Sequence, residues 1–197
     1  HTIEAIVFGE KITSTVVSAS VYYISNGGFE AGPVEGRPPN WEILIAPLPV
    51  TLVTATVGHP DSTGAAEGKT MLLLGNPGYT GRNDVPIGYA AATRTFLIPA
   101  QNTSPRLVFK YIIWTQDRST NENYDRFEVY INNVLAFADG NQNPGLSVDK
   151  WWRVPGPQNP RNGITSGWAT RVIDLSAYAG REITVSFQNH SRYDHWY

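Results

Sequence analysis

The chain has 197 residues and a formal net charge of -2 at pH 7, enough for one domain with a sizeable core. It contains no basic run and no apolar stretch of about 20 residues, which argues against nucleic-acid partners, anionic membrane surfaces and a membrane span. Cysteine is absent, which excludes a disulfide framework and thiolate metal sites.

Thr, Ser, Asn, Gly and Val are abundant, and six Trp and ten Tyr stand beside only 15 Lys and Arg. Such a composition suits strands and turns and suits helices poorly. It points to an extracellular or cell-surface protein. The first residue is His1 rather than Met, as expected of a processed or excised segment.

Residues 2–24 form an extended β-branched run without proline, read as one long strand or two shorter ones. Within it Ala5-Ile6-Val7-Phe8 is apolar at every position, which asks for cover on both faces. Ser25 to Glu30 (SNGGFE) reads as a turn opening a strand, closed by Gly32-Pro33. Trp41–Ile45, Val50–Val57 and the apolar Met71–Leu74 read as the next strands, separated by Gly- and Pro-containing loops. A polar loop over Gly75–Gly88 precedes a strand at Ala92–Ile98. Leu107–Trp114 (LVFKYIIW) is apolar nearly throughout and marks a central strand.

After a polar loop at Asp117–Asp125, Phe127, Val129 and Ile131 alternate with polar residues. Asn132-Asn133 then makes a tight hairpin turn into Val134–Phe137. Asp139–Ser166 reads as a long loop around Trp151 and Trp152. The last part of the chain is a short strand from Arg171, a turn through Ser176–Gly180, and a strand in which Ile183, Val185 and Phe187 alternate with polar neighbours. Asn189–Tyr197 reads as a polar, aromatic loop. About ten strands with no helical period predict an all-β antiparallel β-sandwich of jelly-roll type. It carries an extended N-terminal β segment (residues 1–24) ahead of the sandwich domain (residues 25–197).

The order of these signals resembles the galactose-binding-like jelly rolls, the carbohydrate-binding-module and MAM-like β-sandwiches of secreted bacterial proteins. The resemblance covers about residues 22–197. It rests chiefly on Asn26-Gly27-Gly28-Phe29-Glu30 and on Asp174-Leu175-Ser176-Ala177-Tyr178-Ala179-Gly180. It implies that Glu30 is a candidate ligand for a structural calcium ion. The family's partner aspartates, which sit on a closing strand after the position of Asn189–Tyr197, have no counterpart here. Relative to the family, the chain has one β segment too many at its front and one too few at its end.

That mismatch suggests strand exchange, in which an open sheet is completed by a strand from a neighbour. Ile3, Ala5, Val7, Ile12 and Val16 are the candidate strand-exchange residues within an inserting region Ile3–Val17. Twenty-four extended residues at about 3.3 Å each reach roughly 80 Å, twice the width of a domain of this size. The segment can thus fill its own sheet or the next subunit's. Head-to-tail donation does not close and gives a polymer.

Signs of catalysis are few. His1, His59, His190 and His195 are scattered, and no nucleophile-elbow, zincin or phosphate-loop pattern occurs, so a non-enzymatic protein is expected. His190, Asp194 and His195 share a predicted loop, but their spacing fits no metal template and they read as exposed loop residues. Glycan-binding candidates are aromatics beside polar groups: Trp151 and Trp152, Tyr79 with Arg82, and Tyr193 with Trp196. The competing role for Trp151 and Trp152 is to pin their loop onto the sandwich or a neighbour. Trp41, Trp114 and Trp168 read as core residues. Asn102 and Asn189 open N-glycosylation triplets in predicted loops. The leading expectation is an extracellular structural or adhesive subunit that forms a homo-oligomer. The alternative is a polysaccharide-binding module with its first strand folded back on itself.

Overall fold

A computed structural model describes residues 2–8, 11–13, 16–18, 27–31, 38–46, 50–53, 68–75, 88–101, 104–115, 125–145, 147–154 and 161–191. Among them are only β-strands and one short 3-10 turn. The first strands are β1 (Thr2–Phe8), β2 (Lys11–Thr13), β3 (Val16–Ser18), β4 (Glu42–Ala46) and β5 (Val50–Val53). Then come β6 (Met71–Leu74), β7 (Gly88–Leu97), β8 (Arg106–Ile112), β9 (Trp114–Thr115) and β10 (Asp125–Ile131). The last are β11 (Val134–Gly140), β12 (Ser147–Val154), β13 (Arg161–Thr165), β14 (Ala169–Asp174) and β15 (Glu182–Ser191).

Every pairing between described strands is antiparallel. One five-stranded sheet runs β14-β8-β1-β6-β5, and a second runs β11-β10-β15-β7-β4. Their inner faces meet in one core. Leu72, Leu74, Leu107, Phe109 and Tyr111 come from the first sheet, and Ala90, Ala92, Phe127, Val129, Val185 and Phe187 from the second. Phe109 sits at the centre, with ring centroids 5.4 Å from Phe187, 5.8 Å from Phe137 and 6.0 Å from Phe127, all edge-on. Edge-on contacts set the positive rim of one ring against the negative face of the next.

The period-two patterns place these side chains. In β15, Ile183, Val185, Phe187 and Asn189 are buried while Thr184, Ser186, Gln188 and His190 are half-buried. In β8, Leu107, Phe109 and Tyr111 are buried and Val108 and Lys110 are less so. The hairpin between β10 and β11 turns at Asn132 and Asn133, both left-handed (φ 50° and 65°), the geometry of a two-residue turn that matches strand twist. Asn132 also ties the turn to β15, accepting from Thr184 N at 2.8 Å and donating its own N–H to Thr184 O at 2.9 Å. The Ser176–Tyr178 segment is the 3-10 turn, fixed at its start by Asp174, whose Oδ1 accepts from Ser176 N at 2.8 Å and from the Ser176 hydroxyl.

Four expectations are corrected. The described residues of 2–24 hold three strands rather than one or two: β1 joins the large sheet, while among the described residues β2 and β3 pair only with each other. The Asp139–Ser166 stretch is not a bare loop, because β12 and β13 lie within it and form a small sheet with β9. Its Gly and Pro punctuation hid the strand-forming Val148, Trp151, Trp152 and Val154. Phe29 and Glu30 are not strand residues; they lie in a turn region where Phe29 takes a left-handed φ of 62° and is held by burial against Trp41. Finally, β15 runs on through Asn189 and His190 to Ser191, so those residues are strand rather than loop.

Candidate functional site

The most informative placement is that of β1. It lies inside its sheet, with β8 on one side over seven registered pairs from Thr2↔Ile112 to Phe8↔Arg106. On the other side Thr2 and Ile3 pair with Leu73 and Leu72 of β6. Ile3, Ala5 and Val7 hold the register positions of Tyr111, Phe109 and Leu107, which are the core-facing residues of β8. Of the five strand-exchange candidates, these three are in the large sheet. Ile12 and Val16 are in the β2–β3 hairpin, opposite Val17 and Thr13.

Glu30 ties the SNGGFE turn to the start of β6. Its Oε1 accepts from Lys69 N at 2.8 Å and from Thr70 N at 2.7 Å. Two successive backbone donors on one carboxylate oxygen are charge-assisted bonds. Gly68, at φ 71°, lies directly beneath, where a Cβ would collide with that carboxylate. Glu30→Ala is expected to lower stability by about 1 kcal/mol, read from the urea midpoint, because exposure weakens both bonds. Gly68→Ala should cost at least as much, through both the collision and the left-handed backbone. Glu30 is also the calcium candidate, and its Oε1 is already engaged by these two amides. Among the described residues, no three His, Cys, Asp or Glu side chains converge around it or elsewhere.

A polar cluster closes the flank where the two sheets' edge strands, β11 and β14, come together. Asp139 Oδ1 accepts from Gly140 N at 2.8 Å; its Oδ2 accepts from the Tyr111 hydroxyl and, at 2.8 Å, from Asn143 Nδ2. The Arg171 guanidinium lies 5.3 Å from the centre of the Phe137 ring. On the neighbouring strand, wholly buried Glu128 lies 3.4 Å from Arg126 and accepts from the Tyr130 hydroxyl at 2.8 Å, with His190 Nδ1 at 3.7 Å. Arg126, Phe137, Asp139, Asn143 and Arg171 line a cavity of about 430 Å3.

Burial, then the Asp139 carboxylate as hydrogen-bond partner and as charge, raises the Tyr111 pKa well above that of an ordinary phenol, and Arg171 opposes part of the rise. A raised pKa on an acid favours its protonated form in the fold. That stabilisation is complete below the free phenol's value of about 10 and is lost as pH rises above it. Tyr111→Phe should therefore lose less stability than the wild-type chain between pH ~9 and ~11. At neutral pH the same change costs about 1–2 kcal/mol for the lost bond. Thermal melts across that pH range measure both.

A second hollow, of about 250 Å3, lies on the outer face of the second sheet, lined by Leu44, Tyr89, Thr93, Tyr130, Ser186 and Gln188 among others. Its floor is laced by a bond of 3.1 Å from Thr93 Oγ1 to Ser186 Oγ.

The other sequence candidates are dispersed. Trp151 and Trp152 belong to β12, in the small β12–β13–β9 sheet. Tyr79, Arg82, Asn102, Tyr193 and Trp196 lie outside the described residues. Trp41 is buried as expected and Trp168 is half-buried. Asn189 is not an exposed acceptor for a sugar: it is 2% exposed, and its Nδ2 donates to Leu74 O at 3.0 Å. A Cβ on Gly75 would sit 3.0 Å from that nitrogen, so no glycan fits there.

Sequence reading missed Tyr111, Asp139 and Arg171, although a signal existed. Arg171 falls between Ala169 and Ile173, and Asp139 follows Phe137 by two, so each is a charge on a core-facing stripe. Inward-pointing charges on edge strands also discourage edge-to-edge pairing. No protein-family model, curated protein or solved structure matches the chain.

Proposed function

We propose that the chain is a jelly-roll sandwich serving as a non-enzymatic, extracellular structural or adhesive subunit, polymerised by exchange of β1 between neighbours. The carrying observation is that β1 sits in the interior of a sheet, yet among the described residues the next strand of either large sheet begins at Glu42. The chain is next anchored in the core at Phe29, and the roughly twenty residues between Phe8 and Phe29, at about 3.3 Å each when extended, reach on the order of 65 Å once the β2–β3 pairing opens. The β1 slot beside β8 can then be filled by a neighbour's strand as well as by the chain's own, with identical backbone pairing. Donor-strand complementation has this form.

Register gives a direct test. Glu4 lies opposite Lys110, and the native chain has no cysteine to interfere. A Glu4→Cys/Lys110→Cys double variant, oxidised after assembly, is expected to give a ladder of covalent oligomers on a non-reducing gel. A product that is all cross-linked monomer means that β1 stays in its own subunit and refutes the polymer.

The outer-face hollow favours a second reading, a glycan-binding module. Tyr89 and Tyr130 offer ring surface beside the hydroxyls and amides of Thr93, Thr184, Ser186, Gln188 and Asn133, a mixture suited to a sugar. Under that reading Tyr89→Ala abolishes retention on a polysaccharide column while the melting midpoint stays within a few degrees. Undiminished retention counts against it.

A further inference from the structure

The cavity on the β11–β14 flank differs in chemistry from the outer-face hollow and stands apart from both readings above. Its charges are unevenly committed. Glu128, wholly buried, is matched by Arg126 at 3.4 Å. Asp139 is surrounded by three neutral donors: Gly140 N, the Tyr111 hydroxyl and Asn143 Nδ2. Asn143 is itself fixed from behind, its Oδ1 accepting from Gly145 N at 2.7 Å. Arg171 is exposed, lies over Phe137 and faces the Tyr111 hydroxyl, with no ion pair among the described residues. A guanidinium held over a ring keeps its orientation, and with five donors it can serve the Tyr111 hydroxyl and still grip a carboxylate through two parallel bonds.

The rest of the wall narrows the ligand further. Asp139 repels a bare anion that settles against it but can accept one more bond from a hydroxyl, since three of a carboxylate's roughly four lone-pair sites are taken. The ligand must therefore carry a carboxylate at one end and a hydroxyl at the other. Gln142, Asn143 and Pro144 continue the lining with amides and a small apolar face. A cavity of about 430 Å3 has room for a single sugar ring with its first waters. We propose that this flank cavity binds a carboxylated sugar, a uronic-acid residue, with Arg171 on the carboxylate and Asp139 facing the ring hydroxyls.

Isothermal titration of the full chain with sodium glucuronate, glucose and acetate tests this. Glucuronate should bind at least about tenfold more tightly than either glucose, which lacks the carboxylate, or acetate, which lacks the hydroxyls. Its affinity should fall as salt is raised. Arg171→Gln should weaken glucuronate by about tenfold or more and leave glucose unchanged. Arg171→Lys, which keeps the charge and loses the fork, should fall between the two. Thermal melts of both variants establish that they fold, and the Lys variant carries the test should the Gln variant fail to. The assignment is overturned by glucuronate affinity undiminished in the variants, by acetate binding as tightly as glucuronate, or by no glucuronate binding at all. None of these outcomes bears on the cysteine cross-linking test, so the two ideas fail separately.

Discussion

A chain lacking residues 1–8 is expected to lose its cooperative unfolding transition and, under the polymer reading, its capacity to assemble. β1 is the middle strand of its sheet, so its removal leaves β14–β8 and β6–β5 as two separate ribbons. Both flanking strands then expose backbone groups that β1 had paired, across the seven positions from Arg106 to Ile112 on β8 alone. At about 1 kcal/mol net per lost bond, before any lost packing, the deficit approaches the 5–15 kcal/mol that holds a domain together. Circular dichroism melts and light scattering measure the outcome. A synthetic peptide of residues 1–18 added during refolding should restore the melt, because the empty slot is a template for strand addition. The restored complex has no donor strand left to give, so under the polymer reading it stays small. A truncated chain with the wild-type melting midpoint and size distribution refutes both the structural account and the assembly proposal.

The same strand shows what the amino-acid sequence could and could not reveal. Alternation in Phe127–Ile131 and Ile183–Phe187 predicts half-buried strands, and those residues are core, because a period of two has one meaning when one face is covered. Asn132-Asn133 predicts a tight hairpin because few residues tolerate two left-handed backbones in a row, and both positions adopt them. The β-branched and apolar run that includes Ala5–Phe8 predicts a strand, and those four residues pair with Phe109–Arg106 of β8. Where the run ends is not encoded in the same way. Residues 11–18 have the same β-branched character as β1, and only tertiary pairing separates the hairpin from the sheet.

The candidate site was less legible, for a related reason. Tyr111, Asp139 and Arg171 come from β8, β11 and β14, and each looks unremarkable in its own strand. Only when β11 and β14 become the two edges of one flank does a carboxylate meet a tyrosine hydroxyl beside a stacked guanidinium. By contrast the aromatic-rich Trp151-Trp152 pair, conspicuous in sequence, lies in the small β12–β13–β9 sheet. The Asn189 triplet carries no information on exposure, and the strand that contains it turns the amide inward to the Leu74 carbonyl.

Phe109→Ala is expected to be the most damaging single substitution in the core, costing about 3–5 kcal/mol in a urea titration. Phe109 is 1% exposed and lies within 6.0 Å of the rings of Tyr111, Phe127, Phe137 and Phe187, so truncation opens a void at the meeting point of both sheets. Close-packed rings on opposite sheets cannot both move in to fill it without breaking strand pairing, so little of the loss is recovered. Its position on β8 also links the core to β1. Phe109 is paired with Ala5 of β1 on one side and with Arg171 of β14 on the other. A cavity at this point loosens the seat of β1, and under the polymer reading the variant should show faster β1 exchange as well as a lower midpoint. Val172→Ala, one residue along β14 from Arg171 and 57% exposed, should change the midpoint by no more than about 0.5 kcal/mol. Arg171→Gln removes a cation from the rim of the cluster and should cost about 1 kcal/mol. If Arg171→Gln proves as destabilising as Phe109→Ala, then Arg171 is chiefly a structural plug in the flank, and a loss of sugar binding in that variant would have to be read from Arg171→Lys alone.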